Sequence, residues 1–117
     1  MAHQGFESIQ GLECSERLLN ALREQGIATP NDMQRSAIAA ALKGQHVLIH
    51  APTGTGKTVA YLLPVLQQLA HHEGRAVVFA PGVELAMQVF RIANALKHPE
   101  LKTGPAISTA NPKRERK

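Results

Sequence analysis

The chain has 117 residues, enough for one domain, and its 44% of hydrophobic residues favour a buried core over a disordered tail. Its formal net charge of +4 suits a polyanionic partner, but this surplus is too small to identify one. The single cysteine, Cys14, excludes an internal disulfide, and no signal peptide or long apolar span is visible, so we expect a cytoplasmic protein without a membrane partner.

Two amphipathic helices are predicted in the N-terminal part of the chain. The first runs from Ser15 to Gln25, where Ser15 is placed to cap the start and Gly26 to end the helix. Its apolar residues recur at helical spacing, namely Leu18, Leu19 and Leu22. The second helix is capped at Asn31 and stops at Gly44.

Gln34, near the start of the second helix, permits two interpretations. In the first, its side-chain amide folds back on the start of the helix and forms half of a capping box. In the second, the amide presents a paired donor and acceptor to the edge of an adenine base. The capping pattern by itself favours the first interpretation, and both remain open at this point.

A glycine-rich loop follows a short apolar run, residues 47–49, which predicts a strand. The loop consists of Ala51, Pro52, Thr53, Gly54, Thr55, Gly56, Lys57 and Thr58. Backbone N–H groups in a tight glycine turn and the positive end of a following helix form a cradle for phosphate, to which Lys57 adds a positive charge. Thr58 offers its hydroxyl to a magnesium ion, so Lys57 and Thr58 are the candidate catalytic residues and Thr58 is the candidate metal ligand. The pattern predicts a nucleotide-binding loop, although Ala51 replaces the first glycine of its strict form.

The rest of the chain alternates between predicted helices and strands. A mostly apolar helix is predicted from Lys57 to about Ala70, although Pro64 interrupts it. Three further elements follow: a strand over residues 76–80, a helix over residues 83–96 and a strand over residues 105–108. This order of elements predicts an α/β fold in which helices flank a parallel sheet.

Two motifs resemble those of DEAD-box RNA helicases of the bacterial type. Residues 26–34 resemble the Q motif of that family, and residues 51–58 resemble its motif I. Residues 61–64 also look like the family, which accounts for the proline inside the predicted helix. The resemblance extends over about residues 6–88.

The resemblance has implications for fold, ligands and site residues. It implies a partial RecA-like domain over residues 1–109, which we expect to be the first part of a helicase ATP-binding domain. Residues 110–117 are basic and have no apolar anchor, so from their composition we expect a disordered tail. It also implies ATP and Mg²⁺ as cofactors, with ADP as a second nucleotide ligand, and RNA as the partner of the complete enzyme. In the family, a glutamine matching Gln34 reads adenine and an aromatic matching Phe6 stacks on the base. Phe6 and Gln34 would therefore join residues 51–58 in the nucleotide site.

Two departures from the family pattern bear on activity. At the position of motif Ia, Gly82 and Val83 replace a threonine and an arginine, so we expect weaker contacts with RNA phosphates. Hydrolysis of ATP also needs an acidic residue at the end of a second strand to hold Mg²⁺, and the only aspartate, Asp32, lies upstream of the loop. The family's Asp-Glu-Ala-Asp and Ser-Ala-Thr motifs and its second lobe are missing from the sequence. We therefore expect the chain alone to be inactive.

Three functions compete on these observations. The leading one is the ATP-binding N-terminal portion of an ATP-dependent RNA helicase. The second is a non-catalytic nucleotide- or RNA-binding module derived from a degenerate helicase. The third is a small kinase, which residues 51–58 alone would permit, but Gln34 ahead of the loop and the short chain after it argue against this. We also expect unpaired strand edges to favour non-specific self-association.

Overall fold

The structure, a computed structural model, describes residues 5–101. Over these residues the backbone forms a short 3₁₀ turn and four α-helices. They are the 3₁₀ turn Phe6–Ser8, α1 (Glu16–Glu24), α2 (Asp32–Leu42), α3 (Lys57–His71) and α4 (Val83–Leu96). The four predicted helices are confirmed, and their ends agree with the prediction to within about a residue. The strand predicted at residues 105–108 and the basic tail at residues 110–117 lie outside the described residues.

The helix starts are set by the capping side chains that the sequence indicated. Ser15 Oγ accepts a hydrogen bond from the backbone N–H of Leu18 at 3.1 Å, which fixes the first turn of α1. Asn31 and Gln34 form a reciprocal capping box at the start of α2, with N–H to oxygen distances of 2.8 and 2.9 Å. The capping interpretation of Gln34 is therefore confirmed.

Helix α3 is central to the packing, because it contacts α2 and α4, while α1 packs against α4. Pro64 lies inside α3 and is buried, and the helix continues through it for 15 residues in total. The side chains of the core come from all four helices and from the segment before α1. The core consists of Phe6, Ile9, Leu12, Leu18, Leu22, Ile38, Val59, Leu62, Leu63, Leu66, Val89, Ala93 and Leu96.

The two predicted strands that fall within residues 5–101 are not formed. Residues 47–49 and 76–80 have no strand conformation, and no backbone hydrogen bond joins the two runs. Leu48 is 94% exposed and Phe79 is 91% exposed, the reverse of the burial predicted for a parallel sheet. A strand is stabilised by the ladder that it makes with a neighbour, and these runs find no neighbour in the described part of the chain. The predicted parallel sheet is thus not observed.

Candidate phosphate-binding loop

The glycine-rich loop delivers the chain directly into the first turn of α3. Gly54 and Gly56 both have a φ of +87°, in the left-handed region that glycine adopts without steric cost. Gly56 is the N-cap of α3, and no side chain caps the helix there. The first turn of α3 contains no acidic residue. Its backbone N–H groups and the positive end of the helix dipole are therefore free to receive an anion.

Two side chains of the loop are bonded to the loop's own backbone. Lys57 Nζ donates to the carbonyl oxygen of Ala51 at 2.6 Å. Thr55 Oγ1 donates to the carbonyl oxygen of Pro52 at 2.6 Å. The ammonium group of Lys57 therefore lies inside the turn, where a phosphate oxygen would exchange with one neutral carbonyl partner.

The loop is also fastened to the start of α2. Asn31 Nδ2 donates to the carbonyl oxygen of Thr55 at 2.9 Å. Gln34 Nε2 donates to the carbonyl oxygen of Gly56 at 3.1 Å, and the Gln34 side chain is only 3% exposed. The capping box thus has a second role, because the same two side chains hold the loop at its last two residues before α3.

Thr58, the predicted magnesium ligand, is half-buried in the first turn of α3. Burial raises the pKa of the Tyr61 phenol, and a hydrogen bond with the Thr58 side chain opposes that rise. Within residues 5–101, no group of three or more His, Cys, Asp or Glu side chains is arranged to hold a metal ion. Thr58 is thus not part of a metal-binding cluster of such side chains among these residues.

Phe6 lies in the hydrophobic core. Its side chain has no exposed surface. A ring in this position presents no face to a nucleotide base, so the stacking implied for Phe6 is not supported by its placement. The aromatic side chain is instead accounted for by the apolar area that it buries.

Three residues make contacts in this region that were not expected from the sequence. Asn31 was expected only to cap α2, yet it also binds the loop, whereas Arg35 and Gln67 bind the segment before α1. Their partners are backbone atoms or a serine hydroxyl far away in sequence. No spacing pattern predicts such contacts, because they depend on how the helices pack.

The glycine turn, the uncapped start of α3 and the lysine bonded to the loop backbone together make residues 51–58 a candidate phosphate-binding loop. Comparison with known proteins narrows this class. The DEAD/DEAH box helicase family matches residues 31–117. The chain belongs to the DEAD/DEAH box helicase family, which confirms the resemblance seen in residues 26–34 and 51–58.

Individual relatives agree with this assignment. The ATP-dependent RNA helicase SrmB of Escherichia coli (strain K12) is 47% identical over 97 residues, which cover 77% of this chain and 22% of SrmB. The ATP-dependent RNA helicase dbp4 of Aspergillus clavatus is 43% identical over 95 residues, covering 76% of this chain and 12% of dbp4. The chain thus spans about a fifth or less of the length of these relatives.

A solved structure shows the same fold relationship. The crystal structure of a DEAD box protein from the hyperthermophile Methanococcus jannaschii superposes with a TM-score of 0.68 at 29% identity. The match covers 85% of this chain and 27% of that protein. The likeness to a DEAD box protein supports the expected fold in part, whereas the predicted parallel sheet is not confirmed in residues 5–101. In the described part of the chain, no helix is long and apolar enough to cross a membrane.

Proposed function

We propose that the chain binds an adenine nucleotide at residues 51–58 as the ATP-binding N-terminal portion of an ATP-dependent RNA helicase. The observation that carries this proposal is the N-terminus of α3, which no side chain caps. The glycine turn at Gly54 and Gly56 directly precedes it, and Lys57 supplies a positive charge beside it. Backbone N–H groups and a lysine are the donors that bind nucleotide phosphates in loops of this kind.

In this proposal Gln34 recognises the adenine base. One hydrogen of its side-chain amide and one lone pair of its carbonyl oxygen are already used, by Gly56 and Asn31 respectively. A primary amide retains a second donor hydrogen and a second acceptor lone pair. Because Gln34 is almost fully buried, a base reaches these positions only if the loop or the Gln34 side chain shifts on binding.

Mg²⁺ is proposed to reach the site together with the nucleotide. The chemistry fits in part, since the Thr58 hydroxyl is a suitable oxygen ligand and the nucleotide phosphates supply others. When bound, the ion would neutralise phosphate charge. Hydrolysis additionally needs an acidic residue at the end of a second strand, and the only aspartate of the sequence, Asp32, precedes the loop, so we propose that this chain binds nucleotide without turning it over.

The remaining properties of a helicase are proposed for a chain of the length of the relatives. There, residues 47–49 and 76–80 would enter a parallel sheet flanked by α3 and α4, which would bury the apolar side chains that are now exposed. RNA would bind weakly to this part, because Gly82 and Val83 provide neither a hydroxyl nor a guanidinium group for phosphate. The proposed compartment is the cytoplasm.

One alternative has an observation in its favour. A non-catalytic nucleotide-binding module would need the loop and Gln34 but no acidic magnesium ligand, and the sequence has no aspartate after the loop. The two functions are distinguished by measuring ATP turnover in a longer chain that includes these residues. Added RNA should raise the turnover of a helicase and should have no such effect on a non-catalytic module.

Titration of the purified chain with Mg-ADP, Mg-ATP and Mg-GTP tests nucleotide binding. We expect adenine nucleotides to bind more weakly than about 1 μM, a level that requires about 8 kcal/mol, since only part of a nucleotide site is present. Lys57→Ala should abolish binding, while Lys43→Ala, which alters an exposed lysine at the C-terminal end of α2, should leave it intact. Gln34→Ala should remove the preference over guanine. Equal affinity for Mg-ATP and Mg-GTP in the unmodified chain would contradict the role of Gln34.

A further inference from the structure

The segment before α1, residues 5–13, lies across the helical core and is called the strap here. Its apolar side chains occur at every third position, and all three are buried: Phe6 is 0% exposed, Ile9 5% and Leu12 9%. The strap thus contributes to the same core as Ile38 of α2 and Leu63 of α3. Its burial means that it is a packed element of the fold rather than a loose terminus.

Helix α3 binds the C-terminal end of the strap through hydrogen bonds from two side chains. Gln67 Nε2 donates to the carbonyl oxygen of Gly11, and Gln67 Oε1 accepts from the N–H of Glu13, both at 2.8 Å. One turn further along α3, His71 Nε2 lies 2.8 Å from Glu13 Oε1. The Gln67 amide therefore uses both its nitrogen and its oxygen to bind the backbone of the strap.

Helix α2 binds the N-terminal end of the strap next to the nucleotide loop. Arg35 Nη1 donates to Ser8 Oγ at 2.7 Å, and Ser8 Oγ donates in turn to the carbonyl oxygen of Gly5 at 2.6 Å. Arg35 directly follows Gln34, which holds the carbonyl of Gly56. The strap therefore bridges the helix that carries Gln34 and the helix that begins at Lys57.

We propose that docking of the strap is coupled to nucleotide binding, with Gln67 as the positioning residue that makes the coupling. The docked strap fixes α2 relative to α3 and so fixes Gln34 relative to the loop. By reciprocity, a nucleotide that binds better to this arrangement must favour the docked strap by the same factor. This inference rests on the proposed nucleotide binding. It gives the N-terminal segment a part in that binding that does not require Phe6 to contact the base.

Cys14 provides a built-in probe of docking. It is the only cysteine of the chain and follows Glu13, the residue that α3 holds at the end of the strap. The thiol is half-buried, and its pKa is raised mainly by this burial and to a smaller extent by the nearby charge of Glu7. Because the thiolate is the reactive form, a thiol reagent labels Cys14 slowly while the strap is docked.

The experiment compares Gln67→Ala with Gln68→Ala in the full chain. Gln68 is the exposed neighbour on the same helix, so the control removes an identical side chain without touching the strap. We expect Gln67→Ala to label at Cys14 about tenfold faster with a maleimide, since two hydrogen bonds are lost. It should also bind Mg-ADP about fivefold more weakly. The Gln68→Ala chain should match the unmodified chain in both measurements.

A second measurement needs no variant and therefore does not depend on whether Gln67→Ala folds. Saturating Mg-ADP should slow the labelling of Cys14 in the unmodified chain, with labelling of the urea-unfolded chain as the reference for the free thiol. If Mg-ADP binds but leaves both the labelling rate and the Gln67→Ala affinity unchanged, the coupling is overturned while the nucleotide site stands. If Mg-ADP does not bind at all, the proposed function and the coupling fall together.

Discussion

Gly54 and Gly56 have the same left-handed backbone conformation, with φ at +87°, but only Gly56 lies against another side chain. A Cβ atom added at Gly56 would meet Nε2 of Gln34, whereas a Cβ atom at Gly54 would meet nothing within 4 Å. Replacing either glycine with alanine incurs the conformational cost of a left-handed residue, about 1–2 kcal/mol. The Gly56→Ala change must in addition displace Gln34.

The displacement of Gln34 has a magnitude that can be worked out from its contacts. The side chain makes one hydrogen bond to Gly56 and one to the backbone N–H of Asn31, and both depend on its present position. At about 1 kcal/mol for each bond, Gly56→Ala should destabilise the chain by about 2 kcal/mol more than Gly54→Ala does. The total for Gly56→Ala is then about 3–4 kcal/mol, a large part of the stability of a small domain.

Urea unfolding followed by circular dichroism measures this difference, because the four helices dominate the signal. In a Gln34→Ala background the excess cost of Gly56→Ala over Gly54→Ala should fall to near zero, since the obstructing amide is gone. Equal destabilisation by the two alanines in the unmodified background would refute the reasoning. That result would mean that the contact between Gln34 and Gly56 contributes nothing to the stability of the folded state.

Two further predictions concern burial and exposure. Because the side chain of Phe6 fills the core, Phe6→Ala should destabilise the chain by about 3–5 kcal/mol in urea unfolding, and Phe6→Leu by about 1.5 kcal/mol or less. Similar small losses of stability for both variants would place the ring outside the core. The purified chain should associate with increasing concentration through its exposed apolar runs, residues 47–49 and 76–80. A double substitution, Leu48→Lys with Phe79→Lys, should raise the concentration at which light scattering begins. The thermal midpoint of unfolding of this variant should stay within a few degrees of that of the unmodified chain. An unchanged onset concentration of association would rule out these runs as the self-association surface.

Helices α1 and α2 were predictable from the sequence because each carries its own start and stop signals. Ser15 and Asn31 cap helices through their side chains, and Gly26 and Gly44 end them with positive φ angles of 80° and 85°. These signals act within one helical turn, so they survive whatever the rest of the chain does. The turn of the candidate nucleotide loop was predictable for the same reason, since its glycines dictate the turn locally.

The strands were not predictable in the same way, because an apolar run describes only what a strand would bury. Residues 76–80 fit a buried parallel strand in composition, yet a strand also needs partners that are distant in sequence. The fate of Phe6 illustrates a related limit. Its burial depends on how the strap packs against α2 and α3, which neither its spacing nor its residue type specifies.

The loop keeps its glycine turn although residues 47–49, which precede it, are not part of a sheet. The reason is that the side chains that hold the loop come from helix α2. Residues 47–49 make no backbone ladder within the described part of the chain. The loop is instead held at Thr55 and Gly56 by the side chains of Asn31 and Gln34, which are themselves fixed by the capping box of α2. Helix α2 in turn packs on α3, the helix that the loop begins. The geometry of the candidate phosphate-binding loop is therefore a property of two helix ends, and it depends on the packing of α2 against α3 rather than on a sheet.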